Sequence, residues 1–237
     1  MNILLTNDDG VDSEGIQKLA ELLRARGKGR VMLLAPDSNR SGVSHAVSIL
    51  NGPVKLLKLG EDTWSCSGYP ADCVIVALLG ALPVKPDLVL SGINRGENLG
   101  TDIIYSGTAA AARQASLAGI PAIALSLAGS GVFHWDMAVS WVADHLEELI
   151  ALWEKNSFIN VNIPNSPGGP DGMRTAWPAI KSYQDDLKVM DAPDGSRWCF
   201  LQGEPEVPSQ TDSDCDVVSR NFVSISSVYN YPVAKKE

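Results

Sequence analysis

The sequence predicts an α/β fold: a doubly wound, mostly parallel sheet covered by helices on both faces, a three-layer αβα arrangement. Two observations carry this. Apolar runs of strand length alternate with segments of helical periodicity from Met1 to Ile163, the rhythm of successive βαβ units. The polar, glycine-rich clusters fall at the ends of those apolar runs, and in an open parallel sheet the carboxyl ends of the strands are where ligands bind.

Taken in order, Met1 to Thr6 reads as the first strand. A helix follows from a cap at Asp12 or Ser13, with Ile16, Leu19, Ala20, Leu22 and Leu23 on one face, and stops near Gly27 and Gly29. Val31 to Ala35 is the second strand, closed by Pro36-Asp37. Val47 to Leu59 and Thr63 to Ser67 read as strands around a turn at Gly60-Glu61-Asp62. Pro70 to Leu82 is a helix with Asp72 in its first turn, and Asp87 to Leu90 a buried strand broken by Ser91-Gly92. Thr108 to Leu117 is an Ala-rich helix, Ala122 to Ser126 a short strand, Met137 to Trp153 a helix and Phe158 to Ile163 a strand.

Beyond Pro164 the character changes. Asn165 to Gly172 is a Pro/Gly loop, the stretch to Pro208 reads as irregular with short strand-like pieces, and Phe222 to Val228 is a last strand before a charged tail. Residues 1–164 are therefore expected to form the core. Residues 165–237 are expected to add C-terminal strands and an oligomerisation arm to the same single domain.

Composition narrows the function. A length of 237 residues and 45% hydrophobic content suit one large domain with an ample core. A net charge of −9 argues against a nucleic-acid polymer as partner, which needs a basic footprint. A small phosphorylated substrate stays open, because one bound metal ion reverses the local field. Cys66, Cys73, Cys199 and Cys215 are scattered, in neither a zinc pattern nor a disulfide framework. The chain begins on a strand, and no apolar run approaches the ~18 residues of a membrane span. A reduced cytoplasmic protein with no membrane partner is expected.

The chemistry starts at Asn7-Asp8-Asp9-Gly10, which delivers two adjacent carboxylates to the end of the first strand. Two unpaired acids side by side repel, and burying them uncompensated costs several kcal/mol. A divalent cation between them is the simplest remedy. Three further clusters stand at strand ends or helix starts: Asn39-Arg40-Ser41-Gly42, Ser91 to Gly100, and Tyr105-Ser106-Gly107-Thr108. Hard cations such as Mg²⁺ and Mn²⁺ take oxygen ligands, and Ser41 and Asn94 supply a hydroxyl and an amide oxygen without adding negative charge. Gly96, Gly100 and Gly107 let backbone N–H groups approach phosphate oxygens, and the helix near Thr108 turns its positive end toward the same anion.

Taken singly, each piece has a plain structural role: Asp-Asp-Gly as a turn and cap, Asn94 and Asn98 as turn residues, Ser106 and Thr108 as N-caps. His45 lies four residues after Ser41 without a Gly-x-Ser-x-Gly elbow, which disfavours a serine hydrolase, and His134 and His145 read as structural. Together the blocks are specific. Asn7-Asp8-Asp9-Gly10, Asn39-Arg40-Ser41-Gly42, Ser91-Gly92-Ile93-Asn94 with Gly96, Asn98 and Gly100, and Tyr105-Ser106-Gly107-Thr108-Ala109-Ala110-Ala111 resemble the SurE survival-protein family in order and spacing, from Met1 to about Ser126. Weaker echoes follow in Ile159-Asn160-Val161-Asn162-Ile163-Pro164 and in Thr211-Asp212 with Val223-Ser224-Ile225.

The resemblance implies a metal-dependent phosphatase of nucleoside monophosphates, a 5′/3′-nucleotidase. It also implies a Rossmann-like core with a projecting β-hairpin, and homodimers or homotetramers built partly by exchange of C-terminal segments. Asp8, Asp9, Ser41 and Asn94 become the ligands of one divalent ion per subunit, with Mg²⁺ or Mn²⁺ expected. Asn98, Ser106, Gly107 and Thr108 match the phosphate-side loops, beside Gly96. Asp8 or Asp9 orients the attacking water and accepts its proton, Asp9 being the first choice. The chain departs from the family at Ser13-Glu14-Gly15, where a proline usually precedes the glycine, and after Ile225, where Thr-Pro-Leu is usual. The first departure touches the helix start and the second the arm.

Other classes fit less well. A phosphorelay receiver needs a phosphoacceptor aspartate where this chain has Ser91-Gly92-Ile93-Asn94, and a haloacid-dehalogenase-type phosphatase needs Asp-x-Asp rather than adjacent acids. A dehydrogenase needs Gly-x-Gly-x-x-Gly after its first strand. The alternative outside enzymology is a non-catalytic nucleotide- or phosphate-binding regulator. Trp64, Tyr69 and Tyr105 are candidates for stacking on a base.

Overall fold

The structure, a computed structural model, describes residues 1–206 and 210–233. The charged tail at 234–237 and the Pro208 end of the stretch read as irregular lie outside the described residues. Strands β1 (Asn2–Thr6), β2 (Arg30–Pro36), β3 (Leu56–Gly60), β4 (Thr63–Cys66), β5 (Leu88–Arg95), β6 (Ala122–Ala128) and β7 (Ser157–Pro164) alternate with helices α1 (Glu14–Ala25), α2 (Pro70–Val76), α3 (Gly107–Leu117) and α4 (Trp135–Ala151). After β7 come β8 (Met173–Thr175), β9 (Ser182–Asp191), β10 (Arg197–Glu206), α5 (Asp214–Ser219) and β11 (Val223–Tyr229). The central sheet has nine strands in the order β3-β4-β2-β1-β5-β6-β7-β11-β8. From β4 to β7 the neighbours are parallel, while β3 pairs antiparallel with β4 and β11 antiparallel with β7.

Strand alternation divides the core into two layers. Ile3, Leu5, Leu33 and Leu125 point to one face, where α1 and α4 cover them with Ile16, Leu19, Val142 and Leu146. Leu4, Met32, Leu34 and Ala124 point to the other, under α2 and α3. The alanines of α3 (Ala109, Ala111, Ala112, Ala115) are all buried, and their small side chains let that helix lie close on β5 and β6.

Four expectations are corrected. The strand expected over Val47 to Leu59 is confined to Leu56–Gly60, with a 3₁₀ turn at Ile49–Asn51. The buried Asp72 carboxylate takes the N–H groups of Ser48 and Ile49, which are then unavailable to a sheet, and Pro53 has no N–H to offer. The helix expected over Pro70 to Leu82 is α-helical only to Val76 and closes in a π turn at Ala77–Ala81, where Gly80 is left-handed. The strand expected to stop at Leu90 runs to Arg95, pairing with β6 again at Asn94 after a register shift. Finally, the stretch read as irregular contains a ten-residue-per-strand antiparallel hairpin, β9 with β10. No helix among the described residues is long and apolar enough to cross a membrane.

Candidate active site

The loops after β1, β2 and β5 and the start of α3 meet at one edge of the sheet, tied by backbone bonds. Arg40 N–H donates to the Asp8 carbonyl at 2.7 Å, and Ser44 N–H to the Tyr105 carbonyl at 2.9 Å. Asn7 shapes the first loop. Its buried amide donates to the Gly10 carbonyl at 2.9 Å and to Ser13 Oγ at 2.6 Å, while Gly10 N–H returns a bond to Asn7 Oδ1. This closed Asx turn sends the two following carboxylates to different places.

Asp8 is almost wholly buried at the N-terminus of α3. Thr108 Oγ1 donates to its Oδ1 at 2.6 Å and Thr108 N–H to its Oδ2 at 3.2 Å. A Cβ at position 107 would stand 2.8 Å from the Asp8 Cβ and 2.9 Å from Oδ2, so glycine is what lets the first turn of α3 close on this carboxylate. Asp9 is half-buried, and its Oδ2 accepts the Arg95 N–H at 3.1 Å. Burial pushes the Asp8 carboxyl above its ordinary range. The Thr108 bonds pull it back and the Asp9 charge adds to the rise. Burial likewise raises Asp9, against the Arg95 N–H and the Arg95 charge.

Asp8, Ser41, Asn94, Gly96, Asn98 and Ser106 line one crevice of about 340 Å³. Asp9 lines the adjoining crevice of about 490 Å³ with Ser13, Asn39, Phe133 and Trp135, and Arg95 borders both. The donor set suits a hard divalent cation: two carboxylates whose ionised forms are disfavoured by burial, the exposed Ser41 hydroxyl, and the Asn94 amide oxygen. Asn94 Nδ2 donates to the Gly96 carbonyl at 3.0 Å, which leaves Oδ1 free of any hydrogen bond among the described residues. No cluster of three His, Cys, Asp or Glu side chains stands among the described residues, so neutral oxygens must complete such a site.

The remaining expected residues are placed as follows. Ser106 Oγ caps α3 by accepting the Ala109 N–H at 3.0 Å. Both donors of Thr108 are committed to Asp8, and Gly107 lies against the same carboxylate. Asn98 is buried, with its amide donating to Ser126 Oγ at 2.8 Å. Of the three candidate aromatics only Tyr105 lines the crevice; Trp64 is in the core and Tyr69 lies beneath the Arg40 guanidinium. His45 bonds to Gln114 on α3, and burial lowers its pKa.

Sequence reasoning gave no role to four side chains of this crevice: Arg95, Glu97, Asp102 and Tyr183. Arg95 lay inside a recognised block but was given no role, and its guanidinium rests 4.9 Å from the Phe133 ring centre. Tyr183 comes from β9, and its hydroxyl donates to Asp102, which also holds Lys181 Nζ at 2.5 Å. Burial raises the Tyr183 hydroxyl to about 12, and the bond to Asp102 adds to the rise.

The family model described as Survival protein SurE matches residues 3–185. The chain belongs to the SurE family. A SurE relative named 5'-nucleotidase SurE from Acinetobacter baumannii (strain SDF) is 38% identical over 96% of this chain and 93% of its own length. Proteins of the same name from Prochlorococcus marinus (strain MIT 9211) and Thermoanaerobacter sp. (strain X514) are 37% and 36% identical, over 96% and 97% of this chain and 90% and 92% of theirs. A crystal structure of the SurE protein from Aquifex aeolicus superposes with a TM-score of 0.86 at 33% identity, covering 98% of this chain and 95% of that one. The mostly parallel sheet, flanking helices and separate hairpin are thus the SurE architecture.

Proposed function

We propose that this SurE chain is a metal-dependent phosphatase that hydrolyses nucleoside 5′-monophosphates to nucleoside and phosphate. One observation carries the reading. Buried Asp8, at the positive end of α3, shares a crevice with Asn94, whose amide oxygen is unclaimed among the described residues, and Asp9 stands beside it in the adjoining crevice, in a chain whose relatives are named 5'-nucleotidase. Asp8, Asp9, Ser41 and Asn94 are the proposed ligands of one Mg²⁺ or Mn²⁺ ion. When bound, such an ion offsets charge on the phosphoryl group and makes water a better nucleophile at neutral pH.

The chain's own groups supply the rest. Thr108 holds Asp8 in one orientation through two hydrogen bonds. Asp9 is the more accessible acid and among the described residues accepts only the Arg95 N–H, so it is the one to orient water and take its proton. Asn98, Gly96 and the Ser106–Gly107 backbone present fixed dipoles to the phosphoryl oxygens. The acids Glu97 and Asp102 line the crevice, which disfavours a second anionic group there, and a neutral nucleoside fits along Tyr105, Asp102 and Tyr183.

The hairpin supports a homodimer or homotetramer. Every residue of β9 is exposed, and Leu187, Met190, Trp198 and Leu201 stand on the hairpin without a covering layer. A two-stranded ribbon is marginal alone and is stabilised by packing on a partner. Residues 165–237 then act as the C-terminal arm of one domain, with β8 and β11 in the sheet. Phosphate release from a panel of 5′- and 3′-mononucleotides and polyphosphate tests the activity. Release that stops with chelator and returns with Mg²⁺ or Mn²⁺ is the expected result; metal-dependent binding without release points to a non-catalytic regulator.

A further inference from the structure

We propose that Asn162, assisted by Asn160 and Ser126, is the positioning device of the Gly96–Gly100 loop, holding Asn98 in the geometry the phosphate contact needs. The inference rests on the phosphatase reading for its purpose and on buried hydrogen bonds for its geometry. Asn160 and Asn162 stand two apart on β7, so they share a face, and both are wholly buried between β6 and β11. Their alternating neighbours Ile159, Val161 and Ile163 fill the opposite, apolar layer.

Both amides are directed at one residue. Asn98 N–H donates to Asn162 Oδ1 at 2.8 Å while Asn162 Nδ2 donates to the Asn98 carbonyl at 3.1 Å, a carboxamide matched to both groups of a single residue's backbone. Asn160 Nδ2 donates to the same carbonyl at 2.9 Å. From β6, Ser126 Oγ accepts the Asn98 side-chain amide at 2.8 Å. The main chain and the side chain of Asn98 are therefore held separately by a sheet that cannot move with the loop. Two residues on, Gly100 N–H donates to the buried Asp214 carboxylate at 2.7 Å, anchoring the far end of the loop.

Asn160 Oδ1, Ser224 Oγ and Ser226 Oγ are buried with no hydrogen-bond partner among the described residues, and Ser224 and Ser226 face Asn162 and Asn160 across the β7–β11 ladder. Buried polar atoms without partners cost free energy that apolar side chains of similar size would not. What the layer supplies is a defined position for Asn98, which lines the crevice with Asp8, Asn94 and Ser106. Displacing a substrate-contacting group by an ångström can cost on the order of 10²-fold in rate.

The test uses the full chain as Asn162→Leu and Asn162→Asp, with Ser224→Ala as a control in the same layer that makes no bond to Asn98. Backbone hydrogen exchange reads the Asn98 N–H directly. It should exchange at least about fivefold faster in Asn162→Leu, which removes its acceptor, the factor an ordinary hydrogen bond represents, and no faster than wild type in Asn162→Asp, which keeps the acceptor, or in Ser224→Ala. Turnover of a nucleoside monophosphate should fall in the Asn162 variants. Adding Asn98→Ala to either should cost little more, because Asn162 acts through Asn98. Unchanged exchange at Asn98 in Asn162→Leu, or additive losses in the double variants, would overturn the positioning role. Absence of phosphate release from the wild type would instead overturn the phosphatase reading, and exchange would still decide the geometry. If Asn162→Leu does not fold, Asn162→Ala removes the same acceptor with less bulk, and the same comparison applies.

Discussion

Replacing Thr108 with valine removes a hydroxyl and almost no volume. Thr108 is fully buried, its Oγ1 lies 2.6 Å from Asp8 Oδ1, and its N–H gives that carboxylate a weaker bond at 3.2 Å. The variant keeps the N–H bond, the α3 dipole and the packing, so the lost quantity is one charge-assisted hydrogen bond in a site shielded from water. Such a bond is worth about 1.5–3 kcal/mol, or roughly 10- to 150-fold in an equilibrium constant. Hydrogen bonds that orient metal-ligating groups cost roughly 10–100-fold in metal affinity or activity when removed, so two separate arguments meet in the same range. Calorimetric titration of Mn²⁺ into Thr108→Val at neutral pH should show affinity weakened by that factor, with Thr108→Ser restoring it. A Thr108→Val protein that binds Mn²⁺ within a factor of two of wild type would refute the reasoning.

Three further outcomes follow from the same structure. Asp72 is buried; burial opposes its charge, but the Ser48 hydroxyl and the N–H groups of Tyr69, Ser48 and Ile49 outweigh that and hold its carboxyl below the ordinary range. Its stabilisation is therefore complete above the unfolded carboxylate pKa of about 3.9 and is lost as pH falls toward its lower folded value. Urea melts should show Asp72→Asn less stable at pH 7, with the difference from wild type shrinking below about pH 4; a constant difference would contradict this. Tyr183→Ala should raise KM for nucleoside monophosphates severalfold while leaving hydrolysis of a small non-nucleoside phosphate ester unchanged, and equal losses on both would remove Tyr183 from the nucleoside side. Leu201→Asp on the hairpin should lower the oligomeric state measured by light scattering, and an unchanged mass would detach the hairpin from assembly.

The fold was legible wherever local chemistry and tertiary context agree. Leu4 against Ile3 and Leu5 already encodes a strand covered on both faces, and the alanines of α3 announce a helix close to its sheet. Legibility failed where a distant residue intervenes. Nothing near Ser48 tells that Asp72, twenty-odd positions on, takes its N–H groups and ends a strand before it starts. The projecting hairpin that the resemblance implied is present, but its place in the chain was not legible, for a different reason. It is exposed on both faces, so Leu187, Val189 and Met190 sit among Asp185, Asp186 and Lys188 without the alternation that burial imposes. The turn signal Pro193-Asp194-Gly195 at its tip was available and points to two paired strands.

The candidate site divides in the same way. Asp8, Ser41, Asn94 and Ser106 stand in contiguous motifs that the sheet brings to one crevice. Thr108 stands in such a motif too, but its neighbour is Asp8, a hundred residues away in sequence, and only the packed structure shows its donors committed there. Asn160 and Asn162 were visible as a pattern, yet their direction toward Asn98 depends on the strand register of β6, β7 and β11.

The central claim is that Asp8 and Asp9 together hold one divalent ion at which the phosphate ester is cleaved. Calorimetric Mn²⁺ titration and phosphate release, measured on the same preparations of wild type, Asp8→Asn and Asp9→Asn, test it most directly. The account predicts one ion per chain and metal-dependent release in the wild type, and loss of most metal affinity and turnover in each variant. Near-normal phosphate release by both single variants would contradict it.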